Sequence, residues 1–323
     1  MVAKNKIIFL ICSGYLIIVF LVPSLSWAKM EYYIEDLVFH NSFFMPVEGV
    51  NLHYRIWQPT DNSFRGSVLL IHGLGGSTFS WRHVAPELAE NGYLVLAVDL
   101  PGFGLSQRKL SVSQSYKERA NLFWKLLENL KITTGPWNLV GHSMGGGVAM
   151  AMALQKPGDT LTLILVDSAL GPGIRGISAI LFQSSIVRGF IAKIIGEFFF
   201  TKRRIKSFLN SAYGRKPTPE EVEGYYQPLQ LKNTHLTIAS LLKRYRSDLD
   251  LKGQISEINI PTLFIWGKED KWISVKEAED LVQRMPQTRL NIIEEAAHCP
   301  METHPKLFGQ CLLEFLKEFN ISY

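Results

Sequence analysis

The chain has 323 residues, 34 Lys and Arg against 29 Asp and Glu, 47% hydrophobic residues, 20% charged residues and 3 cysteines. That length and apolar content suit one large α/β domain with an insertion, or two ordinary domains, and exclude a disordered chain, a collagen-like repeat, a disulfide-rich miniprotein and a zinc ribbon. The net charge of +5 drops to +3 without Lys4 and Lys6, which lie in a leader, and calls for no nucleic-acid partner.

The amino terminus reads as a targeting device. Lys4 and Lys6 precede residues 7–22, which carry no charge, and Pro23, Ser24, Ser26, Trp27 and Ala28 follow. Small residues at Ser26 and Ala28 match the −3 and −1 positions of a signal-peptide cleavage site. Extended to Ala28, the uncharged run has 22 residues, enough to span a bilayer as an uncleaved anchor. Residues 1–28 are thus a signal peptide or a membrane anchor. Either way the rest is exported, as a periplasmic or secreted protein or one anchored with its catalytic domain outside the cytoplasm. Cys12 goes with the leader, and Cys299 and Cys311 remain, to pair in an oxidising compartment or to stay as separate buried thiols.

From Glu31 onward, short apolar runs alternate with helical patterns, the signature of a mostly parallel sheet covered by helices on both faces. Residues 37–47 and 50–57, broken by Glu48-Gly49, predict an antiparallel hairpin at one sheet edge. Strand-like runs follow at 67–72, 94–100, 137–142, 161–166, 262–266 and 289–293. Among the helical patterns, residues 113–130 place Ala120, Phe123, Leu127 and Leu130 on one face. The alternation fails once, from Gly171 to about Ile258. Residues 171–258 are too long for a loop and read as an inserted helical cap or lid, leaving residues 29–170 and 259–323 as the core.

The chemistry centres on Gly141-His142-Ser143-Met144-Gly145, between an apolar strand and a helix that starts with small residues. A nucleophile in a sharp strand-to-helix turn has a strained backbone, and glycines two before and two after it remove the Cβ clashes that forbid the turn. A serine hydroxyl needs a histidine to take its proton and a carboxylate to fix the histidine's tautomer. Asp270 follows the strand at 262–266, and His298 follows the strand at 289–293, so both lie at the carboxyl edge of the sheet with Ser143. Asp167 and Glu269 are rival acids, each just past a strand end. His304 reads as a surface residue at the start of the last helix, and His142 as pointing away from Ser143. His53 and His235 have no motif around them. The oxyanion donors are the backbone N–H of Met144 and, in the loop His72-Gly73-Leu74-Gly75-Gly76, that of Leu74. The turn Asp99 to Ser106 reads as structural.

His72-Gly73, Asp99 with Gly102, Gly104 and Ser106, the Gly141 to Gly146 elbow, Gly267 with Asp270, and His298 together resemble the α/β-hydrolase family, from about Val50 to the end. The resemblance implies an eight-stranded, mostly parallel sheet, a Ser143–His298–Asp270 triad, donors at Leu74 and Met144, and a cap after the sixth strand. Branches that dehalogenate alkyl halides or open epoxides use an aspartate nucleophile, which Ser143 argues against. The form Ser-Met-Gly-Gly is similar to that of monoacylglycerol lipases, carboxylesterases and carbon–carbon bond hydrolases alike. The expected activity is therefore hydrolysis of carboxylic esters through an acyl-enzyme on Ser143, without metal or organic cofactor. The alternatives are a cofactor-free C–C bond hydrolase, or a non-catalytic binding protein on the same scaffold. Residues 171–216 carry nine basic residues against Glu197 alone, interleaved with Phe190, Phe198, Phe199 and Phe200. That composition fits a cap that touches anionic lipid and lines an acyl pocket, hence a small-molecule or lipid ester substrate; it fits equally a packed helix with a solvated basic face.

Overall fold

The computed structural model describes residues 8–12, 15–19, 32–60, 64–109, 111–132, 135–170, 200–238, 251–285 and 287–319. The chain divides into two compact units, Met1–Glu31 and Tyr32–Tyr323. In the first, β1 (Ile8–Cys12) pairs antiparallel with β2 (Tyr15–Val19). The spanning-helix expectation for residues 7–28 is therefore not met by the described residues there. Ile8, Ile11, Ile17, Ile18 and Val19 are β-branched and lose side-chain freedom in a helix, which favours the extended form. Among the described residues, no helix is long and apolar enough to cross a membrane.

The second unit is built on an eight-stranded sheet. Its strands are β3 (Ser42–Val47), β4 (Val50–Trp57), β5 (Gly66–Ile71), β6 (Tyr93–Val98), β7 (Trp137–His142), β8 (Thr160–Val166), β9 (Thr262–Gly267) and β10 (Thr288–Ile293). Their spatial order is β10-β9-β8-β7-β5-β6-β4-β3. β4 runs against both neighbours, and the other pairings are parallel. The expected edge hairpin is present, but it begins at Ser42, because Ile34–Asp36 form a 3-10 turn.

Side chains alternate across each central strand, and both faces are dry. Val68 and Leu70 of β5 pack with α1 (Val84–Glu90) and α9 (Pro305–Glu318) on one side. Leu69 and Ile71 pack with α2 (Tyr116–Asn129) and α3 (Met144–Gln155) on the other. This two-sided burial is why the strands read as continuous apolar runs. Each fully buried Leu or Phe contributes about 1.5–3 kcal/mol before entropy is counted. Ser115 caps α2, its Oγ accepting from Glu118 N–H at 3.2 Å.

Between β8 and β9 the described residues are helical. α4 (Lys202–Tyr213) is capped by Thr201 and ends at Gly214 in the left-handed conformation, φ 66°. α5 (Pro219–Leu229) starts with a capping box of Thr218 and Glu221. α4 buries Ile205, Leu209, Ala212 and Tyr213, while Lys202, Arg203, Arg204 and Lys206 face solvent. α6 (Leu251–Gln254) leads back to β9, and α7 (Val275–Val282) and α8 (Pro300–Thr303) complete the unit. The cap residues expected at 171–199, including Glu197, Phe190, Phe198 and Phe199, lie outside the described residues.

Candidate active site

β7 ends at His142, and Ser143 turns the chain into α3 with φ 51° and ψ −118°. A non-glycine residue there is strained, and the surroundings hold it in place. Ser143 N–H donates to Val166 O at 2.8 Å, and its carbonyl accepts from Gly146 and Ala169 N–H at 3.0 Å each. The flanking glycines are required by close approach. A Cβ on Gly145 would stand 2.3 Å from the carbonyl oxygen of Ile71 in β5, and one on Gly141 would stand 2.4 Å from that of Gly145.

The strand ends bring the other groups to Ser143. His298 Nε2 lies 3.0 Å from Ser143 Oγ, and His298 Nδ1 lies 2.7 Å from Asp270 Oδ2. Asp270 Oδ1 accepts from the N–H groups of Trp272 at 2.7 Å and Ile273 at 3.1 Å. Burial opposes ionisation of Asp270, but the hydrogen bond to His298, the field of His298 and the two backbone donors hold its pKa below the ordinary value. Ser143, His298 and Asp270 are all buried. Glycine at 267 permits the assembly, since a Cβ there would meet Ala297 O at 2.1 Å.

The loop after β5 lies directly against the nucleophile, because a Cβ on Gly73 would come within 3.0 Å of Ser143 Cβ. Leu100 N–H donates to His72 Nε2 at 2.9 Å, which leaves His72 Nδ1–H to donate to Gly73 O at 2.7 Å. Burial lowers the His72 pKa to about 4, so the ring is neutral and keeps that tautomer. Leu74 follows in this loop with an exposed side chain, and Met144 opens α3. The N–H groups of both residues thus belong to the two segments that flank Ser143.

His142 does not point away from the site. Its ring lies 4.9 Å from that of His298, and its Nε2–H donates to His298 O at 2.7 Å. Burial, then the charge of His298, lowers its pKa to about 3. His142 is a neutral support for the His298 loop, not a second base. No local motif could have revealed this contact, which joins residues 156 apart in sequence. His53 also has a partner that the sequence concealed, with Nδ1 2.6 Å from Asp99 Oδ2 and Nε2 2.8 Å from Ser42 Oγ. Asp99 further accepts from Thr78 and Leu105 N–H at 2.6 Å each, so the Asp99 to Ser106 turn is structural.

Of the rival acids, Glu269 is exposed, while Asp167 is fully buried beside Asp270. His304 stands at the N-cap position of α9 and is half-buried, and His235 lies half-buried in a helical stretch after α5. Cys299 and Cys311 are both free thiols. Among the described residues, Asp167, Asp270 and His298 form the group whose donors lie close enough to hold a metal ion. Two of those three groups are already bonded to each other.

Two walls of the pocket come from the insertion. Phe208, Leu209 and Ala212 of α4 and Tyr225 of α5 line it with Ser143 and His298. Trp272 lies over His298 at 4.8 Å between ring centres and donates from Nε1 to Ser211 Oγ of α4 at 3.0 Å. Beneath the wall, Glu302 accepts from Tyr213 at 2.7 Å, from Tyr225 at 2.5 Å and from Arg82 at 2.5 Å. One buried carboxyl therefore ties α4 and α5 to the core.

Comparison with known proteins agrees with this architecture. A family model described as alpha/beta hydrolase fold matches residues 66–305. An uncharacterized hydrolase of Bacillus subtilis, YugF, is 30% identical over 272 residues, covering 84% of this chain and 96% of that protein. A 2-hydroxy-6-oxo-6-phenylhexa-2,4-dienoate hydrolase of Burkholderia cepacia is 29% identical, covering 77% of this chain and 87% of its own. Lipase 1 of Psychrobacter immobilis is 27% identical, with 72% and 71% covered.

Proposed function

We propose, from the premise that this chain belongs to the α/β-hydrolase fold family, that it hydrolyses lipophilic carboxylic esters through an acyl-enzyme on Ser143. The observation that carries the reading is the unbroken line Ser143 Oγ, His298, Asp270 at a strained elbow, with contacts of 3.0 and 2.7 Å.

In this mechanism, Ser143 Oγ attacks the ester carbonyl while His298 Nε2 takes its proton. The N–H groups of Met144 and Leu74 stabilise the oxyanion, and each such donor is typically worth about 3–4 kcal/mol. Asp270 holds His298 Nδ1–H and stabilises the imidazolium. The C–O bond to the alcohol breaks as His298 returns the proton to the leaving oxygen. Water then attacks the acyl-Ser143 ester by the same sequence in reverse, releasing acid and restoring the hydroxyl.

The described pocket lining supports a neutral, apolar substrate. It combines Leu74, Phe208, Leu209, Ala212 and Trp272 with hydroxyls that are already engaged, Ser80 with Tyr225 at 2.9 Å and Tyr225 with Glu302. Of the two lining histidines, His142 is uncharged and His298 is the base beside Ser143. A neutral ester suits these walls better than a substrate that carries a carboxylate. A second reading, C–C bond hydrolysis, draws its support from the relative that acts on a dienoate. Lys4, Lys6 and the apolar residues 7–22 support export of the catalytic unit, and the exposed basic residues of α4 support contact with anionic lipid.

The test is hydrolysis of p-nitrophenyl esters of increasing acyl length by the protein and by Ser143→Ala. Turnover that disappears in the variant is expected. Silence on every ester, with Ser143-dependent cleavage of a vinylogous diketone, overturns the ester reading.

A further inference from the structure

Asp167 immediately follows β8, adjacent in the sheet to β9, which leads to Asp270. It is fully buried and has φ 40°, a left-handed conformation that a residue with a Cβ adopts at a cost. Its N–H donates to Ile265 O at 3.2 Å, and its Oδ1 accepts from Gly267 N–H at 3.0 Å. Its Oδ2 is buried without a hydrogen-bond partner among the described residues. One donor atom each from Asp167, Asp270 and His298 lie within 4.8 Å of one another, so the two carboxyls and the imidazole share one buried cluster.

A purely structural role at this position needs a single acceptor, for Gly267. The second oxygen is left over, and it is costly to bury unless it does something. We propose that Asp167 is a positioning residue of this site, which braces the Asp270 carboxylate through its second oxygen and serves His298 Nδ1 itself when Asp270 is absent. The inference rests on the reading of Ser143 as the nucleophile.

The electrostatics agree with the geometry. Two carboxylates this close do not both ionise, and the proton goes to the one with the poorer solvation. Burial first, and the charge of Asp270 second, push Asp167 well above its ordinary pKa, whereas Asp270 is held below its own. The other groups that face Asp167 are Gly267 N–H, the His298 ring and the Cys299 thiol, which burial keeps protonated. Asp167 is therefore the O–H donor and Asp270 the acceptor. Removing Asp270 removes the charge that opposes ionisation of Asp167, so a carboxylate becomes available beside His298.

The experiment measures how fast an alkyl fluorophosphonate modifies Ser143 in the full chain. Oγ forms a bond to phosphorus, fluoride leaves, and His298 takes the proton, so the rate reports on the histidine and its acid without any assumption about the substrate. Asp167→Asn keeps an acceptor for Gly267 and a donor for Asp270, and its rate is expected within about 3-fold of the parent, while Asp167→Ala slows clearly. Asp270→Ala is expected to lose about 10²-fold and Asp167→Asn/Asp270→Ala to approach the loss of about 10⁴-fold typical of a triad without its acid. In Asp270→Ala the rate should also rise with pH as Asp167 ionises, a dependence absent from the double variant. Equal rates in Asp270→Ala and the double variant overturn the proposal, as does an Asp167→Asn rate as low as that of Asp167→Ala. Modification of Ser143→Ala as fast as that of the parent overturns instead the nucleophile reading, and the inference falls with it.

Discussion

Replacing Glu302 by alanine should loosen the two insertion helices from the core. Glu302 is 2% exposed, and its carboxyl accepts from Tyr213 of α4, Tyr225 of α5 and Arg82. In Glu302→Ala, Tyr213 loses its acceptor outright. Tyr225 keeps Ser80 at 2.9 Å, and Arg82 keeps Phe79 O at 3.1 Å and Glu221 at 3.4 Å. One fully orphaned buried donor and two partly orphaned ones, each worth about 1–3 kcal/mol, together with the small cavity, give a loss of about 3–5 kcal/mol. Tyr213→Phe removes a donor and leaves Arg82 on the same oxygen, so it should cost only about 1 kcal/mol. Urea unfolding at fixed pH measures both. Because α4 and α5 carry pocket residues, KM for a long-chain ester should rise in Glu302→Ala more than kcat falls. A cost below about 1 kcal/mol with unchanged KM would refute the view that this carboxyl joins the helices to the core.

Three further outcomes follow from the same geometry. Gly145→Ala puts a Cβ 2.3 Å from Ile71 O, so the elbow must move away from β5, and kcat/KM should fall about 10²-fold with a lower melting temperature; normal activity would show that the elbow tolerates displacement. Asp167→Asn should gain stability relative to the parent as pH rises. A carboxyl whose folded pKa is raised gives its full contribution below its unfolded value of 3.8 and loses it as pH rises through the folded value, at about 1.4 kcal/mol per unit. A melting-temperature difference that stays constant with pH would contradict the buried neutral acid. Trp272→Ala removes the ring over His298 and the bond to Ser211, so KM should rise several-fold while kcat stays within about 10-fold; Michaelis analysis separates the two, and a selective collapse of kcat would give Trp272 a different role.

The sheet was legible because its central strands are buried on both faces and its turns carry glycine. Ser143, Asp270 and His298 were legible as candidates because each stands just past a strand end, in a short segment with its own signature. His142 was misjudged, since neighbours on a strand point to opposite faces, and that rule gives no hint that the His298 loop folds over the far side to meet it. The Glu302 and His53–Asp99 contacts join residues 89, 77 and 46 apart, so no local pattern encodes them. The unpartnered second oxygen of Asp167 is visible only once two strand ends lie side by side. The hairpin start was placed too early because apolar Leu37, Val38 and Phe39 look like strand residues, yet they are partly or largely exposed beside a 3-10 turn.

The most direct test of the central claim is mass spectrometry of the enzyme acid-quenched during turnover of a p-nitrophenyl ester. The account predicts that the peptide containing Ser143 gains the mass of the acyl group, and that the adduct is absent from Ser143→Ala and accumulates when water attack is slowed. An acyl group on another residue, or undiminished turnover in Ser143→Ala, would contradict it.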